Sequence, residues 1–337
     1  MAGDEEGWGG QLWAAADLLT PMAIRVAATL RLADHIAGGT RTGEALAAAV
    51  GAEPDALRRL LGHLVTARVL VCEGDGVYGL TGLGEQLRDD HPGGPRAWLD
   101  LEGAIGHADL SFVELLHTVR TGEPAFPRRF GRTFWDDLSA DSRRAASFDA
   151  LMGGRLAEEM PALVAAYPWG GLGRVVDVGG GDGSLLIAVL RAHEDLRGTV
   201  VDLAGPVARA EEAIAEAGLG DRADAEVGSF FDPLPAGAGG YLLSGVLHDW
   251  DDEHAARILR RCAEAGAGAG KVLVVENVAN VEGSTRDTEG DLRMLCYVRG
   301  RERTLGELGE LAASAGLRVG SVRPGGQHSI IELSPDG

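Results

Sequence analysis

The run Val175-Val176-Asp177-Val178-Gly179-Gly180-Gly181-Asp182-Gly183-Ser184 constrains this chain more than any other stretch. It begins as a β-branched apolar strand, turns on glycine, and enters the apolar run from Leu185 that reads as a helix. A strand apolar on both faces and followed at once by a helix belongs in a parallel sheet covered by helices. The C-terminal half keeps that rhythm. Strand patterns at 174–178, 199–202, 241–244, 271–276 and 317–323 alternate with helical ones at 184–193, 206–217, 252–265 and 304–315, and His328–Leu333 reads as a last strand. The expected fold class is α/β, with a Rossmann-like, doubly wound sheet.

Glycines let a backbone approach a ligand closely, and the helix that follows offers unpaired N–H groups. The acids beside the turn point to the kind of ligand. Asp177 and Asp182 would repel a pyrophosphate but suit an amino-acid ammonium and a sulfonium. Asp202 ends the next strand, Thr199–Leu203, where a carboxylate can accept both ribose hydroxyls. Together these features favour S-adenosylmethionine (SAM) over a dinucleotide. No GxxxxGK[ST] run occurs, which removes a P-loop. His248, in Gly245-Val246-Leu247-His248-Asp249-Trp250, follows the strand Tyr241–Ser244 at the sheet edge where such folds bind ligands. Position alone leaves both a structural and a catalytic histidine open. Asp251, Asp252 and Glu253 beside His248 and His254 resemble a metal cluster, but a helix cap and favourable first-turn charges account for them.

The N-terminal region reads differently. Residues 1–10 are polar and glycine-rich and are expected to fray, and apolar spacing predicts a helix over Gln11–Ala37. Thr42 caps a short helix Gly43–Val50, and Glu53-Pro54-Asp55 opens a second one reaching about Val69. Short strands at Leu70–Cys72 and Val77–Leu80 flank the turn Glu73-Gly74-Asp75-Gly76. Helix, turn, helix and a two-stranded wing make a winged helix. The net charge of −20, and 8 arginines against 11 acids between Gln11 and Asp100, make a poor footprint for nucleic acid. Residues 96–165 read as irregular helices broken at Gly122-Glu123-Pro124 and Phe126-Pro127. Their aromatics (Trp98, Phe112, Phe126, Phe130, Phe134, Trp135 and Phe148) suit either a core or the wall of an aromatic-ligand pocket. The expected divisions are 1–100, 101–165 and 166–337. No stretch reaches the roughly 20 apolar residues of a membrane helix. The acidic N-terminus lacks a signal-peptide pattern, and Cys72, Cys262 and Cys296 lie far apart, so a cytoplasmic protein with reduced thiols is expected.

Four stretches carry a family resemblance: Val175–Gly183, Gly228-Ser229-Phe230-Phe231-Asp232-Pro233-Leu234-Pro235, Leu247-His248-Asp249-Trp250 and Arg301-Glu302-Arg303-Thr304. In this order they resemble the small-molecule O-methyltransferases that include plant caffeate and flavonoid enzymes, and most of all the bacterial aromatic-polyketide branch. The resemblance implies a homodimer through the winged-helix domain, an aromatic substrate and no metal. It implies that Gly179, Gly181, Asp202 and Leu203 line the SAM site beside Asp177, and that Phe230 stacks on the adenine. Ser229 stands where relatives often carry an Asp, and Ser244 near where plant relatives carry a lysine. It implies His248 as general base with Glu276 and Glu302 as its carboxylates. Phe148, Met152, Asp291 and Met294 match positions that contact substrate or cofactor. The expected reaction is methylation of a phenolic hydroxyl on a polyketide-type secondary metabolite. Some members of this branch instead hydroxylate or decarboxylate polycyclic substrates, and N- or C-methylation fits the same fold.

Overall fold

The computed structural model describes residues 5–279, 281 and 287–336, with side chains from Gly10 onward. It forms two compact units, one of residues 1–110 with 142–148 and one of residues 111–141 with 149–337. Residues 1–4 of the expected frayed segment lie outside the described residues, but a helix already runs over Glu5–Ala16. The single helix expected over Gln11–Ala37 is three: Glu5–Ala16, Leu19–Thr29 and Leu32–Ala37. One break is at Asp17, whose carboxylate accepts from the N–H groups of Leu19 and Thr20, and the other at Arg31, in the left-handed region at φ 53°.

In the first unit, Thr42 accepts from the Ala45 N–H and caps the helix Gly43–Val50. Glu53 does the same for the helix Pro54–Thr66 through the N–H groups of Asp55 and Ala56. That helix buries Leu57, Leu61 and Leu64, one face at helical spacing, among Ala28, Leu32, Leu46 and Val69. Strands β1 (Leu70–Cys72) and β2 (Tyr78–Leu80) pair antiparallel with Leu70 opposite Leu80 and complete the winged helix.

The second unit is built on a seven-stranded sheet of order β5-β4-β3-β6-β7-β9-β8. Its strands are β3 (Arg174–Val178), β4 (Arg197–Asp202), β5 (Ala223–Val227), β6 (Gly240–Ser244), β7 (Lys271–Glu276), β8 (Leu317–Pro324) and β9 (Ser329–Pro335). Strands β3 to β7 are parallel, whereas β9 runs antiparallel to both β7 and β8. Alternate residues of the central strands enter opposite layers. Val176, Leu243 and Val274 pack toward the helices Asp252–Ala265 and Leu305–Ser314, and Val175, Leu242 and Leu273 toward the helix Ser184–Ala192. The strand order reverses between β3 and β6, and open α/β sheets bind ligands at the carboxyl ends beside such a switch.

The aromatics of the irregular helices mostly pack on one another. Phe126 and Phe134 are buried and meet edge to face at 5.5 Å, and Phe134 stacks on Tyr297 at 5.7 Å. These rings act as core, a role the pattern had left open. Phe126-Pro127 does not break a helix either: Pro127 lies in the first turn of Ala125–Phe130, where its missing N–H costs nothing.

Candidate cofactor and catalytic site

The carboxyl ends of β3, β4, β5, β6 and β7 carry Asp177 and the glycine turn, Asp202, Ser229, Ser244 and Glu276 in turn. Gly179 turns the chain at φ 72°, a region glycine enters at no steric cost. A side chain at Gly180 would put its Cβ 2.5 Å from the Asp177 carboxyl carbon, so the backbone folds directly over that acid. Asp202 pins the turn: one carboxylate oxygen accepts from the Gly181 N–H at 2.9 Å, and the other from the Leu203 N–H at 2.6 Å. Each oxygen keeps a second lone pair that ribose hydroxyls can use. Asp182 is spent locally, accepting from the Ser184 N–H and hydroxyl at the start of the helix Ser184–Ala192.

Asp177 has no such partner. It is 1% exposed, and its Oδ1 finds no hydrogen-bond donor among the described residues. Burial first, then the Asp202 and Asp182 carboxylates, push its pKa up to about 7. Asp149, on the long helix Ser142–Ala166, joins this group and pairs with Arg209 at 2.7 Å. Burial raises the Asp149 pKa against the pull of Arg209, with the Asp182 and Asp202 charges adding to the rise. A site that holds Asp149, Asp177, Asp182 and Asp202 against Arg209, with one carboxylate oxygen buried and unbonded, is suited to a cation. An ammonium and a sulfonium fit it, and a diphosphate does not. Phe230 adds its ring beside Gly179 and meets Trp250 edge to face at 5.6 Å. The Ser229 hydroxyl accepts from the Phe231 N–H at 3.2 Å and keeps a lone pair. Leu203 is mostly exposed, and Ser244 is half-buried at the end of β6.

His248 sits in a one-turn 3-10 helix, Leu247–Asp249, after β6. Its Nδ1 lies 3.0 Å from Glu302 Oε1, and its backbone N–H donates to Glu276 Oε1 at 3.0 Å. Nε2 faces Asp249 Oδ1 at 3.6 Å, beyond hydrogen-bond reach. Both glutamates are nearly buried, and burial raises the Glu276 pKa. Burial also works against an imidazolium at His248. The Asp249 charge, the Glu302 hydrogen bond and the Glu276 charge outweigh it and push the pKa up to about 10. With Nδ1 committed to Glu302, proton exchange falls to Nε2.

Asp291, on the helix Thr288–Tyr297, accepts from the Glu302 N–H at 2.9 Å, so it bears on the same cluster. Met152 and Met294 are half-buried in the second unit, whereas Phe148 belongs to the first. Asp251 caps the helix Asp252–Ala265 through the His254 N–H, and no metal-binding cluster exists among the described residues. Asp149, Arg209, Asp249 and Arg303 went unassigned in the sequence. Asp149 lies one helical turn before Met152, and Asp249 and Arg303 lie inside the stretches that carry the resemblance.

An O-methyltransferase domain model matches residues 112–318, and an O-methyltransferase dimerisation domain matches residues 13–89. The chain is 58% identical over 323 residues to 2,7-dihydroxy-5-methyl-1-naphthoate 7-O-methyltransferase of Streptomyces carzinostaticus, covering 96% of this chain and 97% of that protein. It is 49% identical over 324 residues to aclacinomycin 10-hydroxylase of Streptomyces purpurascens, covering 93% and 85%. A crystal structure of an O-methyltransferase from neocarzinostatin biosynthesis, in complex with SAM and 2-hydroxy-5-methyl naphthoic acid, matches with a TM-score of 0.92. The two share 57% sequence identity, with 96% of this chain and 98% of that one covered.

Proposed function

The chain belongs to the O-methyltransferase family, and on that premise we propose that it methylates a phenolic hydroxyl on a fused-ring aromatic acid, with His248 as general base. The observation that carries this reading is the cluster at His248: one imidazole whose Nδ1 is held by Glu302, leaving Nε2 for the substrate. SAM, when bound, supplies a methyl group on a sulfonium that a phenolate oxygen can displace in line. Asp177, Asp202 and Asp149 would hold the cationic and ribose parts, and Phe230 would cover the adenine. His248 takes the phenol proton at Nε2, and Glu302 and Glu276 stabilise the imidazolium that results. A phenol with a pKa near 10 is mostly protonated at neutral pH, so a base adds roughly 10²–10⁴-fold. Met152, Asp291 and Met294 are the proposed substrate side, Leu203 and Ser229 the adenosine side, and Ser244 borders both.

The fused-ring acid follows from the naphthoate chemistry of the relatives, and the 49% identical hydroxylase supplies a second reading, oxygenation of a polycyclic substrate. One experiment separates them: the protein is incubated in air with SAM, a thiol reductant and a panel of hydroxynaphthoic acids, phenols and anthracycline-type aromatics, then the products are weighed by mass spectrometry. A gain of one methylene on a hydroxynaphthoic acid is the expected outcome. A gain of one oxygen would move the assignment to the hydroxylase reading, and methylation confined to simple phenols would overturn the fused-ring acid.

We also propose a homodimer through the N-terminal unit, where Leu12, Trp13, Leu18 and Leu19 are each more than 60% exposed within the matched dimerisation region or at its border. Such an apolar patch is costly on a monomer. Sedimentation should give twice the chain mass, with Trp13→Glu shifting the equilibrium to monomer, and a monomeric parent protein would end this proposal. Nucleic-acid binding stays outside the reading, because seven of the eight arginines between Gln11 and Asp100, all but Arg68, are paired with carboxylates. No described helix is long and apolar enough to cross a membrane. Free Cys72 and Cys262 agree with a cytoplasmic location.

A further inference from the structure

We propose that Arg303 is a positioning residue for the base: its guanidinium clamps the short turn that carries His248 and thereby fixes where the imidazole stands. The proposal rests on the reading of His248 as the base. The Arg303 side chain is 1% exposed. Its Nη1 donates to the Leu247 carbonyl at 2.7 Å and its Nη2 to the Trp250 carbonyl at 2.8 Å. Nε and Nη2 both donate to Asp252 Oδ1, at 3.0 and 2.8 Å. Leu247 precedes His248, and Trp250 closes the turn after Asp249. The guanidinium therefore bridges both ends of the turn and ties it to the first turn of the helix Asp252–Ala265.

The neighbours of Arg303 hold the same turn. The Arg301 N–H donates to the His248 carbonyl at 2.8 Å. A Cβ on Gly300 would stand 2.0 Å from that carbonyl oxygen, so the two strands of backbone meet as closely as only glycine allows. Glu302, between the two arginines, reaches the ring itself. One short segment thus fixes the backbone of His248 from two sides and its Nδ1 from a third. Arginine suits the task because its planar fork sends donors in several fixed directions, whereas a lysine ammonium is one point that cannot span two carbonyls and a carboxylate. The buried cation is offset by Asp252, and it also opposes the burial that raises the Glu276 pKa.

Displacing a catalytic group by about 1 Å can cost about 10²-fold in rate. The test uses Arg303→Lys and Arg303→Met in the full chain, reading kcat against pH, S-adenosylhomocysteine affinity by calorimetry, and melting temperature. Arg303→Lys keeps the charge and loses the fork, so kcat should fall about 10-fold with the acid limb of the pH profile unmoved. Arg303→Met loses both, so kcat should fall about 10²-fold. Its acid limb should move to higher pH, because removing a cation favours the imidazolium. S-adenosylhomocysteine affinity should stay within about threefold in both variants. The proposal is overturned if both variants keep kcat within about twofold, or if kcat and affinity fall together with the acid limb of Arg303→Met unmoved, as a merely structural support would give. Should Arg303→Met fail to fold, the Lys variant alone decides: a fall in kcat at retained affinity supports the clamp, and an unchanged kcat ends it. A His248→Gln control keeps the two readings apart. If that variant keeps kcat, the base reading falls and takes the clamp with it. If it loses kcat while the Arg303 variants keep theirs, the clamp alone falls.

Discussion

His248→Gln is expected to lower kcat by roughly 10²–10⁴-fold while leaving S-adenosylhomocysteine affinity within about threefold, because a general base acts in the transition state. Glutamine is the substitution of choice because its amide can still donate to Glu302, whereas alanine would leave the Glu302 carboxylate without the donor it has at His248 Nδ1. The pH dependence follows from the same cluster. The His248 pKa is raised above the ordinary 6.5 to about 10, so the imidazolium contributes stability fully below pH 6.5 and that contribution is lost as the pH rises toward 10. Catalysis needs the neutral ring, so the rate should climb with pH in the parent enzyme, and the glutamine variant should climb only as the phenol itself ionises toward pH 10. A cation bound nearby lowers the pKa of an imidazole and brings the climb toward neutrality. Equal losses of kcat and cofactor affinity would instead make His248 a structural residue of the cofactor site.

Asp177→Asn is expected to make the protein more stable and the cofactor site worse. Its folded-state pKa is raised from the ordinary 3.8 to about 7, chiefly by burial. Between those values the folded state holds a proton that the unfolded chain has released. Stability therefore falls as the pH climbs from about 4 to 7, and the full penalty is present above 7. By linkage the penalty is on the order of 4 kcal/mol. Relieving it should raise the melting temperature by about 5–10 °C at pH 8 and by much less at pH 5. SAM affinity should fall by about 10-fold or more, since an amide cannot neutralise a cation. The same gain in melting temperature at both pH values would show that no buried charge is relieved, and unchanged SAM affinity would remove Asp177 from the cofactor site. Asp202→Ala makes the contrast: it relieves a buried charge but frees the Gly181 and Leu203 N–H groups, so it should lower SAM affinity with little or no gain in melting temperature.

Much of this molecule is local, and the local parts were legible. The helix Gly43–Val50 and strand β1 begin and end where cap, glycine and β-branched residues said they would, because each signal acts within a turn or a strand. Strand β5, Ala-Asp-Ala-Glu-Val, gave no signal. It lies at the sheet edge with most of its residues exposed or half-exposed, so it has no apolar face to display in sequence. The helix Thr288–Tyr297 was missed for a related reason: with Gly290 and charged residues through its first turns, it is held by a cap at Asp287 and by what Cys296 and Tyr297 bury.

The sequence by itself determined the doubly wound order, the glycine turn, the acid at the end of the second parallel strand, and the histidine at the carboxyl edge, because strand–helix alternation forces those ends onto one side of the sheet. Only the tertiary structure decided the electrostatics. Asp149 and Arg209 come from separate helices, yet they meet at 2.7 Å within reach of Asp182 and Asp202. Around His248, Glu302 takes Nδ1 and Glu276 the backbone N–H, and the fold adds Asp249, which faces Nε2 at 3.6 Å. Arg303 has no assigned role in the stretch Arg301-Glu302-Arg303-Thr304, and the fold buries it against two carbonyls and a carboxylate. Charge and hydrogen-bond energies depend on distance and burial, and neither quantity is written in the order of residues.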